Sequence, residues 1–148
     1  MSKTLNIIIF LFLLFLYSCS GEGDYCQYKS ISGIWHHEDT LLFEVDSVSL
    51  STQKLASHPV IIVRATEAYR YQYLRLLVNI GELRSDTISV QLFNEADEQQ
   101  GTGLVHKSIE YPLDSIKGFS QFKSLQVRIS QVMQTDTVQG ITQIGFKF

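Results

Sequence analysis

The chain has 148 residues, with 12 Lys/Arg against 15 Asp/Glu and a net charge of −3. That mild acidity argues against nucleic acid or an anionic membrane surface as the main partner. Hydrophobic residues make up 45% and aromatics 11%, which excludes a disordered chain, and the length fits one domain with a core that needs no disulfide staples.

The first residues read as an address rather than a fold. Lys3 gives a short basic region, and the apolar run from Leu5 to Leu16 follows it. That run is about 12 residues, against the roughly 20 that a spanning helix needs. It ends at Leu16-Tyr17-Ser18-Cys19, with a small residue before the cysteine and a leucine three before it. The pattern is that of a secretory signal and resembles the bacterial lipobox. The resemblance implies cleavage before Cys19, which then carries a covalent lipid (a diacylglyceryl thioether and an N-acyl chain such as palmitate). The expected organisation is a lipoprotein signal peptide over 1–18, the lipidated Cys19 and a short linker over 19–24, and one β-sandwich domain over 25–148. Several buried acyl chains, at about 0.8 kcal/mol per methylene, anchor such a protein to a membrane without spanning it. Cys26 is then a single thiol that cannot form an internal bridge, and it is expected to be half-buried and inert.

From Tyr25 onward the hydrophobic period is two. Leu41, Phe43 and Val45 alternate with Leu42, Glu44 and Asp46. Ile88, Val90 and Leu92 alternate with Ser89 and Gln91. Leu125, Val127, Ile129 and Met133 alternate with Gln126, Arg128 and Ser130, and Ile144, Phe146 and Phe148 close the chain around Gly145 and Lys147. Such segments are half-buried strands with one wet face. Val60–Val63 and Leu74–Ile80 are more continuously apolar and are expected at sheet centres, and a further strand is read over Thr102–Tyr111. Turn signals fall at Ser57-His58-Pro59, Gly81-Glu82, Asn94–Gly101 and Asp136–Gly140. The pattern predicts an all-β chain, an antiparallel β-sandwich or jelly-roll-like fold of seven to eight strands. Only Asp114–Lys123 has the look of a short helix. A terminal Phe also fits the last strand of a membrane β-barrel, but Glu44, Asp46, Gln126 and Arg128 would then interrupt the apolar outer band.

Catalytic chemistry is hard to place. His36-His37-Glu38-Asp39 is the most ligand-like cluster, yet adjacent histidines on a strand face opposite ways, and His58 and His106 stand apart. No nucleophile elbow is present, and Gly101-Thr102-Gly103 opens a strand rather than a helix, so it is no phosphate cradle. The reading is therefore a protein without catalytic residues, without metal, and without a cofactor other than the lipid on Cys19.

Tyr69, Tyr71 and Tyr73 fall on alternate positions leading into an apolar strand. If that strand begins early they share one face, a ring ladder suited to a protein edge or to a sugar. Tyrosines that merely cap a core, with their hydroxyls in water, would give the same spacing.

Taken together, these residues resemble a known family. Trp35 with Leu42-Phe43-Glu44-Val45, Val63-Arg64, Tyr69-Arg70-Tyr71 and Leu74, Asp86-Thr87, Gly101-Thr102-Gly103 and Tyr111 follow the order seen in the gliding-motility lipoprotein GldH family of Bacteroidetes. Met133, Asp136, Gly140-Ile141 and Gly145 match its ending. Tyr73, Arg75 and Gln100 depart from residues common there. The resemblance implies a non-enzymatic outer-membrane lipoprotein that supports gliding motility and type IX protein secretion, with protein partners in that machinery. Ser20–Asp24 is a poor match to the acidic tag of surface-exported lipoproteins in these bacteria, so the periplasmic face is expected, with surface exposure left open. The competing reading is a carbohydrate-binding lipoprotein using the three tyrosines.

One further pattern stands out. Of seven Asp residues, five begin Asp-Ser/Thr-aliphatic, at Asp39, Asp46, Asp86, Asp114 and Asp136. These triplets resemble the O-glycosylation acceptor of exported Bacteroidetes proteins, which makes Thr40, Ser47, Thr87, Ser115 and Thr137 candidate glycan sites. Turn capping by Asp before a strand is the other reading, and both can hold at once.

Overall fold

The computed structural model describes residues 25–46, 58–82, 84–114 and 124–147. Within them run ten strands and no helix: β1 (Cys26–Ser30), β2 (Ile34–His36), β3 (Thr40–Asp46), β4 (Val60–Ala65), β5 (Tyr73–Ile80), β6 (Arg84–Gln91), β7 (Lys107–Pro112), β8 (Ser124–Gln131), β9 (Thr137–Gln139) and β10 (Ile141–Lys147). All pairings are antiparallel. One four-stranded sheet has the order β1-β10-β4-β7, a second has β3-β8-β5-β6, and β2 pairs with β9 as a small ribbon. This is an antiparallel β-sandwich, and the apolar strands β4 and β5 each lie between two neighbours, as their composition required.

The alternation read from the sequence is the alternation of burial. Phe43 and Val45 are buried beside exposed Leu42 and Glu44, and Ile88 and Val90 are buried beside exposed Ser89 and Gln91. Ile61, Val63, Ile144 and Phe146 of the first sheet meet Phe43, Leu76, Val78 and Ile129 of the second in one core. Each such side chain contributes roughly 1.5–3 kcal/mol of transfer free energy. Phe43 and Phe146 join the sheets with ring centroids 6.1 Å apart.

The sandwich has two distinct ends. The leading end is where β1 begins: Cys26 faces Lys147 and Val60 faces Pro112. There the Tyr25 hydroxyl donates to the Glu44 carbonyl across the sheets at 2.8 Å, and Arg84 reaches Asp114. The far end holds the β2–β9 ribbon and the segments between β4 and β5 and between β6 and β7. Thr66 N–H donates to Gly140 O at 2.8 Å there, and the Gln99 amide donates to Thr66 O at 3.1 Å.

Four details differ from the sequence reading. The strands number ten rather than seven or eight, because β2 and β9 are three residues each and too short to show a period; β9 lies inside the expected Asp136–Gly140 turn. The strand expected from Thr102 begins at Lys107, since Gly101 and Gly103 adopt positive φ. Gln131 is buried where the β8 alternation expects an apolar residue: its carbonyl oxygen accepts from Met133 N–H at 2.9 Å and its amide donates to Asp136 O at 3.4 Å. Cys26 is exposed on β1, not half-buried. The helix read over Asp114–Lys123 falls, beyond Asp114, outside the described residues.

Candidate functional site

The three tyrosines do not form a ladder. β5 begins only at Tyr73, so the condition for a shared strand face is not met. Instead Tyr69 closes a turn, donating its N–H to Thr66 O at 3.1 Å, and its side chain drops into the core with 1% exposure. Its hydroxyl donates to Tyr73 O at 2.9 Å. Gly140 makes that descent possible: with φ +87°, a Cβ there would lie 2.2 Å from the Tyr69 backbone nitrogen. Burial, then the neighbouring Tyr71, push the Tyr69 phenol well above its ordinary pKa. Tyr71 and Tyr73 stay 38% and 44% exposed, and Tyr71 packs edge-on against Tyr69 at 5.7 Å. Two tyrosines therefore remain available at the far end, and the third is structural.

The histidine cluster is a turn. Asp39 Oδ2 accepts from His36 N–H at 3.2 Å, Asp39 N–H donates to His36 O at 3.1 Å, and the Trp35 indole donates to Asp39 O at 3.2 Å. His37 Nδ1 lies 4.0 Å from Asp136 Oδ1. Among the described residues no group of three His, Cys, Asp or Glu is placed to hold a metal.

A cleft of about 430 Å³ lies on the outer face of the first sheet. Its floor is the cross-strand row Gln143–Arg64–Ser108, and its wall is the loop carrying Thr102 and His106. One row away, Tyr28, Gly145 and Ile62 stand side by side. The Tyr28 ring lies across Gly145, where a Cβ would meet its edge at 2.7 Å. The Arg64 guanidinium stacks over the same ring, 4.3 Å from its centroid, and donates to the Gln143 side-chain oxygen at 2.7 Å. Burial, with Cys26 beside it, raises the Tyr28 pKa, and the Arg64 charge opposes that rise. This stack is not legible in the sequence, because Tyr28, Arg64 and Gly145 are far apart in the chain. The available signal was Gly145, a glycine inside an apolar strand, which marks a close approach.

The family model described as GldH lipoprotein matches residues 24–148. The chain belongs to the GldH lipoprotein family. A relative named Gliding motility lipoprotein GldH homolog, from Christiangramia forsetii, is 29% identical over 161 residues, covering 99% of this chain and 96% of the relative. Gliding motility lipoprotein GldH of Flavobacterium johnsoniae is 26% identical over 153 residues, covering 95% and 92%. Among solved structures, an exo-beta-1,3-galactanase from Phanerochaete chrysosporium aligns at a TM-score of 0.46 and 10% identity, over 87% of this chain and 30% of the enzyme. Dimeric latent PorU from Porphyromonas gingivalis aligns at 0.33 and 9% identity, over 88% and 13%.

In this GldH-family chain, the three described Asp-Ser/Thr-aliphatic triplet hydroxyls, those of Thr40, Thr87 and Thr137, lie at the surface. Thr40 opens β3, Thr137 opens β9, and both are exposed. Thr87 is exposed within β6, so Asp86 precedes no turn and the capping explanation fails for that triplet. Thr40 and Thr87 share one cross-strand row, with Ser130 and Leu77 between them. Ser47, Ser115 and Cys19 lie outside the described residues.

Proposed function

We propose that this chain is a non-enzymatic lipoprotein, held at the periplasmic face of the outer membrane by lipid on Cys19. There it supports gliding motility or type IX protein secretion as a docking component of an envelope machine. The observation that carries this reading is the family match over residues 24–148, together with two relatives named for gliding motility that align over nearly their whole lengths. The open sandwich supports a docking role, since β1, β7, β3 and β6 each leave one edge without a strand partner among the described residues. A clean deletion in the native host tests the reading, scored for secretion of a type IX cargo and for colony spreading. Cargo held in the periplasm or lost spreading is the expected result; normal secretion together with normal spreading overturns it.

The exposed pair Tyr71 and Tyr73 supports a second reading, in which the domain binds carbohydrate. Glycan-array binding abolished by Tyr71→Ala would favour it, and a flat array would remove it. Glycosylation at one or more of Thr40, Ser47, Thr87, Ser115 and Thr137 is proposed independently. The intact mass of protein from the native host tests it, and a mass equal to polypeptide plus lipid sinks it.

A further inference from the structure

We infer that the far-end cleft and its wall loop dock an acidic segment of a partner protein, with a carboxylate seated on Arg64 and an apolar hollow around Leu104. The inference rests on the docking reading above and gives the partner a chemistry.

Arg64 is a cation fixed in place. Gly145 lets the Tyr28 ring lie against the sheet, Tyr28 carries the guanidinium on its face, and Gln143 holds one nitrogen at 2.7 Å. The Gln143 amide is in turn held by Ser30 Oγ at 3.2 Å. A planar fork held this way has already lost most of the freedom that carboxylate binding would remove. Yet among the described residues no Asp or Glu lies within ion-pair reach of Arg64. The cleft lining, with Thr102, His106, Ser108, Thr142 and Gln143 around Arg64, contains no acid either. Glu110 stands one row away, across from Ile62, and outside that lining; a fixed positive charge in an acid-free cleft is complementary to an incoming carboxylate.

The wall loop adds an apolar contact beside that charge. Thr102 and Ser108 exchange backbone hydrogen bonds of 3.1 and 2.8 Å across its base. Gly103 has φ +118°, and a Cβ there would lie 2.2 Å from His106 O, so the loop is drawn tight. At its tip Leu104 is 98% exposed and Val105 74%. An acidic sugar would use Arg64 and leave Leu104 idle. A lipid surface would use Leu104 and Val105, but this loop joins the sheet at the end opposite Cys26, where the chain enters from the tether. A protein uses both the fixed arginine and the apolar tip.

The test replaces Leu104 with a photo-cross-linking p-benzoylphenylalanine in the full-length chain, expressed in the native host. The expected product is an adduct with one protein, whose yield falls roughly tenfold or more with Arg64→Glu. Changing the contacted acid of that protein to Arg is expected to restore the yield in the Arg64→Glu background. Should Arg64→Glu unfold the domain, Arg64→Gln removes the charge at nearly constant size and decides the matter. No adduct, an adduct with lipid or glycan, a yield unmoved by loss of the charge, or failure of the charge swap each overturns the inference. The two readings fail separately. Normal secretion and spreading in the deletion strain overturn the functional proposal. A deletion defect that the Arg64→Glu chain fully complements overturns the docking site alone.

Discussion

The Tyr69 ring is buried at the far end of the sandwich, where its hydroxyl donates to Tyr73 O at 2.9 Å. Its place in Tyr69, Tyr71 and Tyr73 fits a surface ladder, but spacing says nothing about where a strand begins. The turn at Thr66 and the missing Cβ of Gly140 decide the outcome, and they send the ring inward. Tyr69→Phe keeps the packing and deletes the bond to Tyr73 O, so it is expected to cost about 1 kcal/mol in urea unfolding. The same variant carries a pH signature. The folded phenol titrates above its unfolded value of about 10, so its contribution is complete below that pH and is lost as pH rises past it. The stability gap between wild type and Tyr69→Phe is therefore expected to narrow between pH 8 and pH 11; a constant gap would place the hydroxyl in water. Gly140→Ala forces a Cβ into the Tyr69 backbone at positive φ and is expected to cost about 3 kcal/mol or more, read as a lowered denaturation midpoint.

At the scale of elements, long strands were legible and short ones were not. β3, β6 and β8 bury alternate residues along most of their lengths, so their period is legible in the sequence. β2 and β9 offer one buried residue each, Trp35 and Val138, and a single residue has no period. The Arg64 cleft was invisible for a related reason: its floor is assembled by register between β10, β4 and β7, which alternation alone does not supply. Register also explains an irregular edge. On the face of β6 that carries Ile88 and Val90, the first two positions are Arg84 and Asp86, ion-paired to each other, with Arg84 also 3.3 Å from Asp114. Charges turned toward the core side of an edge strand discourage another strand from pairing there. Replacing both by valine is expected to produce self-association at concentrations where the parent is monodisperse, measured by light scattering; an unchanged particle size would assign the pair to local stability alone.

For the whole molecule, the proposed anchor and the described fold are separable. The family match begins at residue 24, and the first described strand begins at Cys26. Cys19→Ala is therefore expected to leave the thermal midpoint of the sandwich unchanged while removing fatty-acid labelling and shifting the protein from the membrane to the soluble fraction. Retention in the membrane without the lipid, in a chain shown by mass to be cleaved of residues 1–18, would show that a protein contact, not the acyl chains, holds it there.

The hydrogen bond from Tyr25 to Glu44 O links the chain's entry point directly to the second sheet, while β1 runs antiparallel along β10 from Cys26 to Ser30. A pull between that entry point and the far-end loops acts along the strands. The ladder bonds lie across that direction, so they are loaded together in shear rather than opened one after another. Force delivered at the opposite end of β1 would unzip the same bonds singly. The direction of the strands thus makes this sandwich stiffest along the line from Tyr25 to the far-end loops, the geometry of a tie that works under tension.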